Sequence, residues 1–468
     1  MKKKFLSILI AVASVFVALG FSACKEHKSA YQVWLDNGNT GTEQDFLDWL
    51  KSDESIDNPF GFDFFLKTDG TYAVEIGEAY YSLEVEIPAT YKGKPVTHVG
   101  NFSNDEIESL LKKITIPESV TSISAGAFYN CNRLEEITLP FVGETKDETN
   151  NSHFGFIFGA ISSSYNEDYI PSSLKKVTIT NATSIGNSAF ANCSSLTNIS
   201  LPDSLTSVGT GAFSNCSKLK YNASNDLKYL GNENNPYVYL ADTIKESITT
   251  ATIENGCKII GASAFSDYKN LTSISIPNSI TSIGDSAFYG CTNLTNITLP
   301  HSVERIGDSA FYGCTNLKYN EKNNLKYLGS EKSYYFYLAG TTTTSMTTAN
   351  IEISCKFIGD TAFQNCSSLT SVTIPDGVKS ISKYAFQGCS GLTHIIIPDS
   401  VTSIRENAFE SCYKLTSIYY KGTVDSIYIN ESYTTGFESA IVYYYSETRP
   451  TESGNYWHFI NGVPAKWQ

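Results

Sequence analysis

The chain has 468 residues and a formal net charge of −14, with 34 lysines and arginines against 48 aspartates and glutamates. It lacks the basic footprint of a nucleic-acid-binding protein, so that class of function is excluded. Its length exceeds what one compact core organises, which favours several domains or an elongated array. With 30 Tyr and 26 Phe, the composition favours strands and turns over long helices.

The amino terminus has the pattern of a secretory signal. Residues 2–4 are lysines, residues 5–19 are apolar, and Ser22 and Ala23 are small residues that precede Cys24. This ending resembles a bacterial lipobox, although Phe21 stands where that family usually has leucine. The resemblance implies that residues 1–23 are a lipoprotein signal peptide and that Cys24 is the lipid anchor to the membrane. We therefore expect an exported bacterial lipoprotein at the outer membrane or cell surface; an ordinary cleaved signal and an uncleaved anchor helix are the alternatives.

Residues 24–59 form an anchor-proximal segment. Thr42 and Asp45 approximate a capping box that begins a short helical module. The polar residues 52–59 are typical of a linker. This segment is either a spacer or a short module of the kind found near the anchors of bacterial surface proteins.

A repeat of 23 residues organises most of the chain. An Ala-Phe pair recurs, and several of its intervals are 23 residues, with longer intervals where segments are inserted; its phenylalanines are Phe128, Phe190, Phe213, Phe265, Phe288, Phe311, Phe363, Phe386 and Phe409. In each unit a short strand ends at a proline, a second short extended piece ends at a glycine, and an Ala-Phe-x-x-Cys segment has the apolar spacing of a helical turn. In one unit Asp285 or Ser286 stands where it could cap that turn. One unit cannot bury its apolar side alone, so the units must stack into a solenoid.

The pattern resembles the BspA-like, or treponemal-type, leucine-rich repeats over about residues 105–420. The resemblance implies a right-handed solenoid on the bacterial surface and adhesion to host proteins or to other cells. We therefore predict a mostly β fold with short helical turns. A β-rich cap at residues 60–104 and an aromatic cap at residues 421–468 are expected to cover the two ends.

Three insertions interrupt the repeats, at about residues 141–170, 219–250 and 317–348. The first is predicted to be a surface loop. The other two repeat each other at an offset of 98 residues and are predicted to be β-hairpin-like. Their tyrosines are the candidate binding residues, because exposed Tyr gives a large contact area at a small entropy cost; packing on the solenoid is the alternative for Tyr237, Tyr239, Tyr335 and Tyr337.

Cysteine recurs within the repeat. Eight of the eleven cysteines lie in the Ala-Phe-x-x-Cys motif, and Cys257 and Cys355 fall where other units have Val or Ile. A disulfide ladder and a metal site are two interpretations. The third, a small buried apolar residue, is favoured because Tyr268 replaces Cys in one unit and no C-x-x-C occurs.

We find no motif for catalysis, metal binding or a cofactor, so we expect a protein that is not an enzyme and has no cofactor and no metal site. The favoured function is a surface-anchored binding protein that mediates adhesion through protein partners, such as host matrix or cell-surface proteins. The alternatives are a lipoprotein that binds glycans and a structural component of the cell envelope.

Overall fold

A computed structural model describes residues 40, 42, 61–77, 83–102, 110–146, 151–245, 247–330, 332–423, 428–429, 440–450, 454–460 and 463–467. The predicted signal peptide and the anchor Cys24 lie outside the described residues, as does the helical module except for Thr40 and Thr42. The chain divides into two compact units, the first containing residues 1–200 and 211–220 and the second containing residues 201–210 and 221–468. The fold is mostly β and is built of stacked solenoid rungs, as predicted.

The described residues of the first unit form eleven strands. They are β1 (Asp63–Leu66), β2 (Tyr72–Glu75), β3 (Glu84–Glu86), β4 (Thr90–Tyr91), β5 (Lys94–Val99), β6 (Lys113–Thr115), β7 (Ser122–Ile123), β8 (Glu136–Leu139), β9 (Lys176–Ile179), β10 (Ser184–Ile185) and β11 (Asn198–Ser200). One sheet has the order β1-β2-β5-β4, with β7 also paired to β5, and another has the order β3-β6-β8-β9-β11.

Parallel stacking of rungs defines the second of these sheets. Lys113 pairs with Glu84 on one side and with Glu136 on the other, and Lys176 pairs with Glu136 and Asn198. Rung stacking in this sheet begins at β3, and in the other sheet β2 already pairs parallel with β5. The stack therefore starts inside the range predicted as a cap. At the start of the unit, β1 and β2 form the predicted antiparallel hairpin.

The prediction that residues 141–170 form a surface loop is wrong. The segment contains 3-10 helices at Phe154–Phe158 and Ser163–Tyr165 and an α-helix at Asn166–Tyr169. Phe154 and Phe158 are buried, and their rings lie 4.9 Å from Phe190 and 6.1 Å from Phe128. The insertion enters the core because the repeats leave ring positions empty between Phe128 and Phe190, and the phenylalanines of the insertion fill them.

The second unit contains the remaining strands. They are β12 (Ser207–Val208), β13 (Asn222–Ser224), β14 (Leu227–Leu230), β15 (Tyr239–Thr243), β16 (Thr250–Thr252), β17 (Ile259–Ile260), β18 (Ser273–Ser275), β19 (Ser282–Ile283), β20 (Arg305–Ile306), β21 (Asn320–Lys322), β22 (Leu325–Leu328), β23 (Tyr337–Thr341), β24 (Thr348–Asn350), β25 (Phe357–Ile358), β26 (Ser371–Thr373), β27 (Ser380–Ile381), β28 (His394–Ile397), β29 (Ser403–Ile404), β30 (Ser417–Tyr420), β31 (Tyr428–Ile429), β32 (Ile441–Tyr445), β33 (Tyr456–Ile460) and β34 (Val463–Lys466).

Each of the two duplicated insertions adds an antiparallel ribbon that joins the solenoid. Strands β13, β14 and β15 pair antiparallel, and β15 then pairs parallel with the rung strand β17. Strands β21, β22, β23 and β25 repeat this arrangement. The resulting sheets have the orders β13-β14-β15-β17-β19-β20 and β21-β22-β23-β25-β27-β29-β31. The predicted hairpins are therefore present, and their last strands are part of the stack.

An aromatic sheet closes the end of the second unit. Its order is β28-β30-β32-β33-β34, with parallel pairing as far as β33. Trp457 is fully buried and its indole N–H donates to the backbone oxygen of Tyr420 at 2.9 Å. Buried aromatic packing of this kind covers the last rung, as predicted for the aromatic cap.

Candidate binding surface

The Ala-Phe-x-x-Cys segment of each rung decides which side chains face outward. In the second unit, the buried rings of Phe265, Phe288 and Phe311 stack at 5.3 and 5.6 Å with nearly parallel planes. The residue two positions after each Phe has a positive φ, which Asn, Asp and Gly adopt at the least cost, as at Asp267, Gly290 and Gly313. The intervening residue is thereby turned outward on most rungs, whereas Ala191 in the same position is buried.

The ten described cysteines are buried and none of them is in a disulfide bond. The thiol of Cys291 donates to the backbone oxygen of Phe265 at 3.0 Å, and Cys314 donates to Phe288 at 3.0 Å, each to the preceding rung. Burial raises the pKa of Cys291 to about 12 and that of Cys314 to about 11. The buried-residue interpretation agrees with this geometry, which adds a hydrogen bond between rungs that the sequence did not reveal. Among the described residues, no group of three or more His, Cys, Asp or Glu side chains could hold a metal ion.

Two tyrosines occupy the outward position on neighbouring rungs. The rings of Tyr289 and Tyr312 stack at 5.6 Å with an interplanar angle of 17°, and the residues are 38% and 52% exposed. Further along the same unit the outward positions carry Gln364, Gln387 and Glu410, whose side chains are hydrogen-bonded in series. We call Tyr289 and Tyr312 the tyrosine pair.

The candidate tyrosines of the insertions lie mainly inside the fold. Tyr239 and Tyr337 are only 6% and 4% exposed, whereas Tyr237 and Tyr335 are partly buried. Tyr237 packs edge-on against the ring of Tyr229 at 5.2 Å. The equivalent contact 98 residues later joins Tyr335 and Tyr327 at 5.3 Å. These positions match the packing alternative, because little of Tyr239 or Tyr337 is left exposed for contact with a protein partner.

Tyr337 packs against the Phe ladder where the second hairpin joins the stack, and its Cα partner is Phe357 of the next rung. Its ring packs edge-on against Phe311 at 5.4 Å. A side chain at position 359 would collide with its hydroxyl, so Gly359 is required there. The rung strand β20 ends one sheet and β23 belongs to another, so the hairpin interrupts the regular stack at this point.

A cavity of about 250 Å³ lies at this interruption. One side is formed by residues 311–315, which include Tyr312 of the tyrosine pair, and the other by Tyr337, Ala339, Asp360 and Thr361. Tyr319 also lines the cavity, and burial raises its pKa. An exposed aromatic pair therefore adjoins a polar and aromatic recess.

Charged side chains form a column on the rungs beside this cavity. Lys383 lies 2.9 Å from Glu406 and 3.8 Å from Asp308, and Arg405 lies 3.8 Å from Asp308. Asp285, which the sequence offered as a cap for its own turn, instead accepts from the backbone N–H of Asp308 at 3.0 Å. Burial, followed by the nearby charge of Asp308, raises the pKa of Asp360 to about 7.

The polar strand face is largely satisfied by its own chain. The hydroxyl of Thr272 donates to the backbone oxygen of Thr249 at 2.9 Å, and that of Thr295 donates to Thr272 at 3.2 Å. Hydroxyls that are already bonded contribute less to a new contact than rings that lose only water. The tyrosine pair is thus the better anchor, and the motif position directly after each Phe was the signal that could have found it.

The described part of the chain contains no helix that is long and apolar enough to cross a membrane.

The model of the BspA type leucine rich repeat region matches the chain in six copies, over residues 84–154, 164–234, 243–339 and 332–443. A leucine rich cell surface protein from Faecalibacterium prausnitzii is 24% identical over 84% of this chain and 97% of its own, with a TM-score of 0.23. A leucine-rich repeat protein from Bacteroides ovatus is 25% identical over 82% and 93%, with a TM-score of 0.24. The leucine rich repeat protein of T. pallidum is 22% identical over 56% and 89%, with a TM-score of 0.21. No curated protein matches the sequence. Because the family model matches well over half of the chain, the protein belongs to the BspA type leucine rich repeat family.

Proposed function

We propose that this protein is a lipid-anchored surface protein of a bacterium that binds protein partners and thereby mediates adhesion to host proteins or to other cells. The family consists of surface proteins that generally bind other proteins, and leucine-rich repeats typically serve as binding scaffolds without catalysis. Anchoring at Cys24 is part of the proposal and rests on the lipobox resemblance.

The tyrosine pair carries the proposal. Two large rings that are stacked and about half exposed bring little rotamer entropy to lose, and such residues dominate binding energy at protein interfaces. The stacked Phe ladder beneath them holds both rings in place before a partner arrives.

Binding to a panel of extracellular matrix proteins tests the proposal. The purified full chain in detergent should bind at least one member saturably, and a variant with both Tyr289→Ala and Tyr312→Ala should bind at least tenfold more weakly. Tyr413→Ala is the matched control, because Tyr413 is 81% exposed and lies outside the pair. Its affinity should stay within about twofold of the original.

The absence of binding by a protein shown to be folded would contradict the proposal, as would equal binding by the double variant. Loss of envelope integrity on gene deletion, with attachment unchanged, would instead favour the structural alternative.

A further inference from the structure

The cavity beside the tyrosine pair is lined by backbone N–H groups whose counterparts in regular rungs donate to the next rung. Elsewhere in the stack, Phe288 donates its N–H to the backbone oxygen of Ala310 at 2.8 Å, and Gly290 donates to Tyr312 at 2.8 Å. After the rung that contains Phe311 the chain leaves the stack, and the second hairpin lies where the next rung would be. Within the described residues, no carbonyl accepts from Phe311 or Gly313 in the equivalent positions. Both residues line the cavity.

The opposite wall holds the carboxyl group of Asp360, which can accept a further hydrogen bond. One oxygen of Asp360, Oδ2, accepts from the backbone N–H of Ser309 at 2.8 Å. The other, Oδ1, is buried and has no hydrogen-bond partner in the described chain. A buried polar atom without a partner is costly, so its persistence in a recess indicates a group that a ligand satisfies.

The lining determines which ligand chemistry fits. Tyr312, Tyr319 and Tyr337 supply aromatic surface, and Thr315 and Thr361 supply hydroxyl groups. Apart from the phenols and the Cys314 thiol, Asp360 is the one ionisable side chain of the lining. None of the described residues that line the cavity carries a positive charge that could hold an anion. Two backbone donors near the aromatic rings disfavour an ammonium ion, which is itself only a donor. A ligand that both donates and accepts hydrogen bonds and has an apolar face satisfies every group.

From this geometry we propose that the cavity binds one pyranose residue of a glycan. Sugar hydroxyls accept from the N–H groups of Phe311 and Gly313 and donate to Asp360, and the C–H face of the ring lies against a tyrosine. The volume of about 250 Å³ is below the roughly 300–1,000 Å³ of sites for drug-sized ligands and suits a single ring. This inference rests on the proposed function, because that function requires the face with the tyrosine pair to be exposed on the cell. It adds a ligand class, a sugar, for the cavity beside that pair.

Saturation-transfer NMR and calorimetry with a panel of methyl hexopyranosides and methyl N-acetylhexosaminides test the proposal on the full chain in detergent. At least one glycoside should bind saturably, and Asp360→Asn should weaken its binding about tenfold. Tyr319→Leu, which removes an aromatic ring, should weaken it more than Tyr319→Phe. Asp376→Asn is the matched control, because Asp376 is exposed, is paired with Lys421 and does not line the cavity; it should leave binding unchanged.

Failure of every glycoside to bind the folded chain would overturn the inference, as would equal losses in Asp360→Asn and Asp376→Asn. Binding of an N-acetylated dipeptide amide in place of any glycoside would also overturn it, since a peptide group would then be the occupant. Because the matrix-protein assay depends on Tyr289 and Tyr312 and the glycoside assay on Asp360, either function can fail while the other survives.

Discussion

Asp360 accepts a hydrogen bond from the backbone N–H of Ser309 at 2.8 Å across an insertion, although the two residues are 51 positions apart. In regular rungs the equivalent N–H bonds to a backbone oxygen: Ser263 donates to Asp285 at 2.9 Å and Ser286 to Asp308 at 2.8 Å. The hairpin displaces the rung that would offer this oxygen to Ser309. A side-chain carboxylate therefore takes the place of a backbone carbonyl and ties together the two rungs that flank the hairpin.

Asp360 makes stability depend on pH in the direction opposite to most carboxylates. Its pKa is raised from 3.8 to about 7 by burial and then by Asp308, while Lys383 opposes the rise. Well below pH 3.8 the group is neutral in both the folded and the unfolded state. As the pH rises from 4 to 7, the unfolded chain ionises first, so the folded state loses stability. Between pH 5 and 8 the loss attributable to Asp360 should be about 2 to 3 kcal/mol.

Asp360→Asn should flatten this pH dependence. Urea unfolding of the full chain at pH 5 and pH 8, followed together with amide exchange at Ser309, measures the difference between the two proteins. Asp376→Asn should keep the original slope, because Asp376 is exposed. Identical slopes in Asp360→Asn and the original protein would show that the carboxyl ionises normally in the folded state.

Cys257 and Cys355 should be inert in the native protein. Burial raises the pKa of Cys257 and Cys355 to about 12, so almost no thiolate exists at pH 8, and the thiolate is the reactive species. Site-resolved mass spectrometry after iodoacetamide treatment should show negligible labelling of these residues until a denaturant is added. Fast labelling of Cys257 in the folded chain would contradict the structure.

Substitutions of Cys291 test whether the cysteines of the Ala-Phe-x-x-Cys motif act as hydrogen-bond donors between rungs or only as small apolar residues. Cys291→Val keeps an apolar side chain but removes one of two hydrogen bonds to the backbone oxygen of Phe265, which retains the N–H of Tyr268 at 3.3 Å. The variant should therefore be destabilised by about 1 kcal/mol. Cys291→Ala adds a cavity and should cost more. Urea midpoints measure both. A valine variant as stable as the original would mean that the cysteine serves only as a small apolar residue.

Loss of the anchoring cysteine should release the protein from the membrane. Cys24→Ala removes the thiol that the lipobox resemblance assigns to acylation, so fractionation should move the chain out of the membrane pellet and labelled fatty acid should no longer be incorporated. Protease treatment of intact cells should degrade the original protein. A Cys24→Ala chain that stays in the membrane, or an original chain that the protease cannot reach, would contradict the proposed anchor or location.

The repeat pattern was sufficient to predict the rung. The recurrence of Ala-Phe-x-x-Cys every 23 residues predicted stacking, and the offset of 98 residues predicted two equivalent hairpins, which the structure shows with Tyr229–Tyr237 and Tyr327–Tyr335 contacts. The prediction for residues 141–170 failed because no repeat marks Phe154 and Phe158 as ladder rings. These two rings fill the gap in the Phe ladder between Phe128 and Phe190. Such a gap can be recognised only from the three-dimensional arrangement of the rungs.

Local sequence therefore determined what each 23-residue unit becomes, because a strand ending at proline, a glycine turn and a Phe beside a left-handed residue are decided by short-range sterics. Tertiary structure decided what happens where units are interrupted. Only the stacked rungs show that Tyr337 is buried against Phe311, that Asp360 reaches Ser309, and that the hairpin leaves a recess beside Tyr312. Those outcomes depend on distances between rungs, and a linear pattern does not contain them.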